Sequence, residues 1–330
     1  MVLEGGAGED CEVWAVAFHP DGKHFFDGTR NGIRRWRVAD GQELGKQTGM
    51  TFEISVSKDQ KWVVCGTAEG ASVWDAELRE KVAEGRKWVY AVDVAPDCIK
   101  FATGTDAGEV NLCSITTGER LLGPLEHDGG VRGVRFSPDG GRLATACIGR
   151  CGICIFDAHN GDHLISIETS IPASSYLPIA WSTHGQHLFA VSEDYKIKSF
   201  DSLTGSPLAE WQIHENSNNG SMSISLSANG KFIASSAGRF VSFWDTLTHT
   251  QLGIVELKET HEIKSIALSP DGCRLAAGSA SGSSIIWDLR GILPDSYLPG
   301  NVSTPFLKSA TTFVHESLFI NTRKSLVPRL

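Results

Sequence analysis

Cys147, Cys151 and Cys154, followed by His159 and His163, come nearest to metal chemistry in this sequence, since thiolate and imidazole at short spacings suit zinc. A hairpin would bring Cys147 opposite Cys154. A structural zinc site needs four convergent ligands, however, and alternation along strands sends several of these side chains to different faces. Cysteine also replaces alanine, serine or valine in a tight core, so the cluster reads as packing. His261-Glu262 begins like a zinc-protease helix, but Ser265 stands where the second histidine belongs, and the stretch reads as a strand. Gly278-Ser279-Ala280-Ser281-Gly282 lacks serine at the centre of a nucleophile elbow, and no phosphate-cradling loop with its Gly-Lys-Ser/Thr ending occurs. Arg34, Arg35 and Arg37 around Trp36 form a compact basic group, which one strand splits between two faces; it reads as a solvated edge. The expectation is a non-enzyme with no catalytic residue, metal site or cofactor.

Composition narrows the class of protein. The 330 residues are 41% hydrophobic and 21% charged, and 35 glycines with 12 prolines point to many turns and short elements. A net charge of −9 argues against a general nucleic-acid or membrane binder, which needs a cationic face. No apolar run reaches the roughly 18 to 20 residues of a membrane helix. Eight cysteines in so long a chain do not make a dense disulfide framework, which favours a reducing cytoplasmic or nuclear setting. The sequence carries no signal for oligomeric state.

The elements that would position any site emerge from an internal repeat. Pro-Asp-Gly stands at 20–22, 138–140 and 270–272, and weaker copies centre on Asp59, Asp97, His184 and Asn229. The seven turns lie 38 to 45 residues apart. A second ladder keeps the same beat, as an aromatic residue followed by Asp: Trp74-Asp75, Phe156-Asp157, Phe200-Asp201, Trp244-Asp245 and Trp287-Asp288, with Trp36-Arg37 and Cys113-Ser114 as degenerate rungs. Between the ladders run short, β-branched and aromatic stretches without helical periodicity. The pattern predicts an all-β chain in which every unit is strand, tight turn, strand, tight turn, strand and a fourth strand.

On these residues the sequence resembles the WD-repeat (WD40) β-propeller family over residues 1–289, with seven degenerate repeats. His127 matches the histidine that opens a family repeat, whereas the family's buried His, Ser/Thr, Asp, Trp set is largely missing. The resemblance implies a seven-bladed propeller of four-stranded antiparallel blades. Because the chain supplies only three strands of the seventh sheet up to Trp287-Asp288, Val2-Leu3-Glu4 is expected to close the last blade; Gly291 to Leu298 is the alternative donor. Residues 290–330, with four prolines and five basic against two acidic residues, are expected to be a mostly irregular extension, although Phe313, Val314, Leu318, Phe319 and Ile320 are more apolar than a linker.

The family likeness also implies where partners bind. Aligned on the turns, Trp14, Phe52, Tyr90, Arg132, Leu177, Met222 and Lys264 occupy one position and Glu12, Met50, Trp88, Gly130, Ser175, Gly220 and Glu262 another. In WD-repeat proteins both positions lie where the chain enters the innermost strand, on the narrower face, and commonly touch partners. Trp14, Met50, Phe52, Trp88 and Tyr90 would thus share one rim, with Glu12, Glu262, Arg132 and Lys264 around it. Strand parity alone also allows Trp14 and Phe52 to pack between blades, and a bulge would turn them outward. Arg30, Glu69, Asp106, Arg150, Asp194 and Arg239, in the second-to-third strand turns, read as a solvated fringe. The expected function is a non-catalytic scaffold binding a protein or peptide, with no nucleic acid and no membrane. Two alternatives are an aromatic cage reading methylated lysine and a sensing or recruiting part of a larger signalling protein. A third is a propeller enzyme with a channel metal.

Overall fold

The computed structural model describes residues 1–4, 12–79, 81–84, 88–148, 152–174, 177–213, 220–257 and 261–299. Seven four-stranded antiparallel sheets follow one another along the chain as blades, as the two ladders require. The Pro-Asp-Gly turns are held by their own side chains. In blade four Gly140 takes φ +75° while Asp139 accepts the Ser137 hydroxyl at 2.5 Å and the Gly141 N–H at 3.0 Å. The weaker copies keep this backbone, with Gln60 and Cys98 in the left-handed region at φ +68° and +60°. Turn geometry has therefore outlasted the letters that favour it.

The last blade is closed by Val2–Glu4, which pairs antiparallel with Ser283–Asp288, Val2 opposite Ile285 and Glu4 opposite Ser283. The Met1 amine donates to the Ile286 carbonyl at 2.8 Å, and the Ile286 N–H returns a bond to the Met1 carbonyl at 2.8 Å. Leu3 is buried with Phe18, Phe25, Trp36 and Ile286, so closure is also hydrophobic. Gly291 to Leu298 is not the closing strand. It crosses the groove between blades six and seven instead, with Leu293 buried and the Tyr297 hydroxyl donating to Asp245 at 2.5 Å.

Apolar clusters join successive blades, for example Ala91, Val134, Phe136 and Leu143 across blades three and four. Each such fully buried Val, Leu, Ile or Phe is worth about 1.5–3 kcal/mol, against which the scarce polar links are secondary. Among the described residues, fragments of the family's hydrogen-bond set survive: His127 Nε2 lies 2.8 Å from Thr145 Oγ1, and the Trp244 indole donates to Ser235 at 3.0 Å.

Two readings of the sequence need correction. Arg34 is not at a solvated edge: it forks onto the fully buried Asp27 at 2.8 and 2.7 Å, and Ser284 of blade seven donates to the same carboxylate at 2.6 Å. Cys154 pairs with Thr145 rather than standing opposite Cys147, whose thiol donates to the Gly152 carbonyl at 3.5 Å. Cys151, Arg150 and Ser175 lie outside the described residues.

Candidate interaction surface at the channel mouth

One extra residue per strand builds this surface. In the innermost strands of blades one, two, three, four and seven the pairing register shifts at Trp14, Phe52, Tyr90, Arg132 and Lys264, each the additional residue of a β-bulge. A bulge leaves its residue outside the ladder and breaks the period of two. Glycines in the preceding blade make room for it: a Cβ on Gly66 would meet the Val89 carbonyl at 2.6 Å, and one on Gly104 the Val131 side chain at 2.5 Å. Blade six pairs in regular register, Met222 opposite Ala237, and Met222 is only 2% exposed. Where the bulge exists, Trp14, Tyr90, Arg132 and Lys264 are half-buried, and Phe52 stays buried.

Four rings from three blades form a continuous stack. Trp14 lies 5.4 Å from Phe52 and Phe52 4.5 Å from Tyr90, with interplanar angles of 26° and 25°. Trp88 packs at 5.9 Å from Phe52 and 6.1 Å from Tyr90, and remains 53% exposed. Phe52 is 6% exposed, so it supports its neighbours from below, while Met50 is half-buried just before its strand. Leu177, in the left-handed region at φ +56°, reaches the same spot from blade five and lines it with Trp14, Phe52 and Tyr90.

The charged residues of the rim are tied to their neighbours. The Trp14 indole donates to Glu12 at 2.8 Å. Arg132 places its guanidinium 4.4 Å over the Tyr90 ring and donates to Asp106 at 2.9 Å. Lys264 and Glu262 form a close ion pair, and Glu262 also accepts the Ser221 N–H at 3.1 Å. A methyl-lysine cage needs ring faces turned toward one point. Here the rings lie nearly parallel in series and Arg132 already covers one face of Tyr90, so the cage reading does not fit this geometry.

Beneath the stack the channel wall holds an ionic network that sequence reading missed. Glu53, the neighbour of Phe52, is 3% exposed; it accepts the Val92 N–H at 2.8 Å and the Arg135 guanidinium at 2.7 Å. Asp93 accepts the Phe136 N–H at 2.8 Å and the Ser55 hydroxyl at 3.2 Å. Burial pushes the Glu53 carboxyl up to about 7 against the pull of Arg135, and burial likewise raises Asp93. Asp93 and Arg135, opposite charges at the matching position of successive innermost strands, were the overlooked signal; Glu53 stands two residues off that position. Among the described residues, the one grouping able to offer three metal ligands is His19, Asp21 and His24, on the opposite face. There His19 takes the place that Ser57, Ser137, Ser227 and Ser269 hold in other turns, bonding to the turn's acidic or amide side chain.

The WD domain, G-beta repeat family pattern matches residues 2–36, 119–157 and 254–288. Each match runs from an outermost strand through the next three, and the first begins with the closing strand. The chain is a seven-bladed β-propeller that matches the WD repeat in these three segments. It is 31% identical over 176 residues to eukaryotic translation initiation factor 3 subunit I of Aspergillus terreus, covering 49% of each chain. The same subunit of Coccidioides immitis is 32% identical over 141 residues, 38% of this chain and 41% of that one. In Debaryomyces hansenii the figures are 31% over 159 residues, 44% and 45%. The similarity thus spans about half or less of these relatives' length. Among solved structures, the Cps50 (Swd1) β-propeller domain of Myceliophteria thermophila superposes with a TM-score of 0.74 at 18% identity, over 87% of this chain and 98% of that one, which shows the fold alone. These relatives are named as an initiation-factor subunit and a β-propeller domain.

Proposed function

We propose that this propeller is a protein–protein interaction module whose narrow face holds a peptide or domain against Trp14, Trp88 and Tyr90. Phe52 supports these anchors and Met50 widens the apolar surface. Glu12, Arg132, Glu262 and Lys264 supply the polar rim. The likeness to initiation factor 3 subunit I extends the proposal to a cytoplasmic role within a multi-subunit assembly of translation initiation.

The observation that carries this reading is Trp88, a large ring 53% exposed yet fixed by stacking on two others. Aromatic anchors bury much area at little entropic cost, and a ring already held in place loses less freedom when a partner arrives. The Trp14→Ala/Trp88→Ala double variant, used beside the wild type in affinity capture from a cytoplasmic extract, is expected to lose the wild type's specific partners while keeping its melting temperature. Retention of the same partners would sink the proposal.

A further inference from the structure

The turn that joins the first two strands of blade one differs in its chemistry from the six turns related to it. Five blades begin this turn with serine, at Ser57, Ser137, Ser182, Ser227 and Ser269, and blade three begins it with Ala95. Blade one begins it with His19 and ends it with His24, and Asp21 stands between them. Serine is enough to hold such a turn: in blade four the Ser137 hydroxyl donates to Asp139 and accepts the Arg142 N–H at 2.9 Å. The turn itself therefore does not call for an imidazole.

Two imidazoles converge here on one carboxylate. His19 Nδ1 lies 3.0 Å from Asp21 Oδ1, and His24 Nδ1 lies 2.7 Å from Asp21 Oδ2. One ligand atom from each of the three residues falls within 4.8 Å of the other two. Ligands about 2.0–2.2 Å from a tetrahedral ion stand about 3.3 Å apart, so small ring rotations admit one. The outer supports of a metal site are present as well. A ligating histidine gives its other ring N–H to a carbonyl or carboxylate, and a ligating carboxylate is itself hydrogen-bonded. His19 is buried, with Nε2 3.4 Å from the Gln60 carbonyl of blade two. The tautomer that donates this bond leaves Nδ1 bare, and the Asp21 N–H is directed at that nitrogen at 3.3 Å. Asp21 Oδ1 accepts the Lys23 and His24 N–H groups at 2.8 and 3.1 Å, which fixes the carboxylate and keeps Oδ2 for an ion.

We propose that His19, Asp21 and His24 form a zinc site, with the two Nδ1 atoms and Asp21 Oδ2 as ligands. Imidazole and carboxylate donors with one open position suit Zn²⁺. On binding, the ion replaces the hydrogen bond between His24 and Asp21, and the neutral His24 ring moves its proton from Nδ1 to Nε2 without losing it. The Asp21 and His24 side chains are each 23% exposed, so the ion is reachable from solvent and water completes its coordination. Bound zinc ties the turn of blade one to blade two through His19 and Gln60. The site lies on the face opposite the aromatic stack and stands independently of the binding proposed there.

Calorimetric titration of the full chain with zinc chloride is expected to fill one tight site per chain, and zinc is expected to raise the melting temperature. His19→Ser and Asp21→Asn install the residues that blades four and six carry as Ser137 and Asn229, so both variants keep the turn. Each is expected to bind zinc at least about ten-fold more weakly and to lose the zinc-dependent rise in melting temperature. Wild-type affinity in either variant, or no tight ion in the wild type, overturns the proposal. Cobalt chloride supplies a second reading, because a site of nitrogen and oxygen ligands gives no thiolate charge-transfer absorption. Such an absorption at one cobalt per chain assigns the ion to cysteine and overturns the site proposed here.

Discussion

Across blades two to four, N–H groups on the inner edge of the innermost strands are met by two carboxylates and, at Val94, by the Ser55 hydroxyl, whereas across blades six and seven they are met by hydroxyls. Glu53 and Asp93 take the Val92 and Phe136 N–H groups, both at 2.8 Å, whereas Ser223 and Ser225 take those of Ile266 and Leu268 at 3.4 and 3.1 Å. Either group quiets an exposed strand edge. A hydroxyl does so without charge, while two buried carboxylates require the counter-charge of Arg135. In the carboxylate arc bulges leave Tyr90 and Arg132 half-buried and Phe52 buried beside them; in the hydroxyl arc Lys264 is bulged as well, while Met222, in regular register, is packed inside. The costlier chemistry thus lies beside the aromatic part of the surface proposed for binding, and the cheaper chemistry beside the packed Met222 and the Lys264–Glu262 pair.

The largest test of this contrast is Arg135→Met, which leaves Glu53 and Asp93 without their partner. It should cost about 3 kcal/mol or more in urea unfolding. Next comes Met222→Ala, expected to cost about 2–3 kcal/mol of stability with partner affinity unchanged, because the residue is core. Trp88→Ala should do the reverse, weakening partner binding by about 2 kcal/mol, roughly 30-fold, at constant melting temperature. If Trp88→Ala unfolds the protein and Met222→Ala abolishes binding, the division between the arcs is wrong.

Glu53→Gln sharpens the electrostatic half of the comparison. Burial raises the folded-state carboxyl to about 7 from an ordinary 4.5, so the folded protein holds this proton more tightly than the unfolded chain. The resulting stability is fully present below the ordinary value and is lost as pH rises through about 7. Wild-type melting temperature should therefore fall relative to the variant between pH about 5 and 8, whereas His127, lowered by burial, changes both proteins alike. Parallel profiles would show that Glu53 titrates normally. The smallest effect belongs to Ser225→Ala in the hydroxyl arc, at most about 1 kcal/mol, read from the same unfolding curves.

The turn and aromatic-Asp ladders made the blade count and strand order legible, since both follow from local chemistry repeated at a fixed interval. Strand closure was legible by counting. The exposure of Trp14 and Tyr90 was written more faintly: the apolar positions Val13, Val16 and Phe18, or Val89, Val92 and Val94, are spaced three and then two, an interval that only a bulge reconciles with one buried face. Glu53, Asp93 and Arg135 escaped notice because their association joins three different repeats, up to 82 residues apart, and no local pattern encodes it. Arg34 misled for a similar reason. Its partner Asp27 is local, but the burial that makes the pair structural comes from Ser284 at the other end of the ring.

The pairing of Val2–Glu4 with Ser283–Asp288 has a consequence for biosynthesis. A chain emerging from the ribosome can complete six sheets in order, yet its opening strand must stay without its mate until residue 288 has left the exit tunnel. For most of translation the nascent protein is an open arc with two raw edges, and protection of those edges during that interval falls to chaperones or to speed.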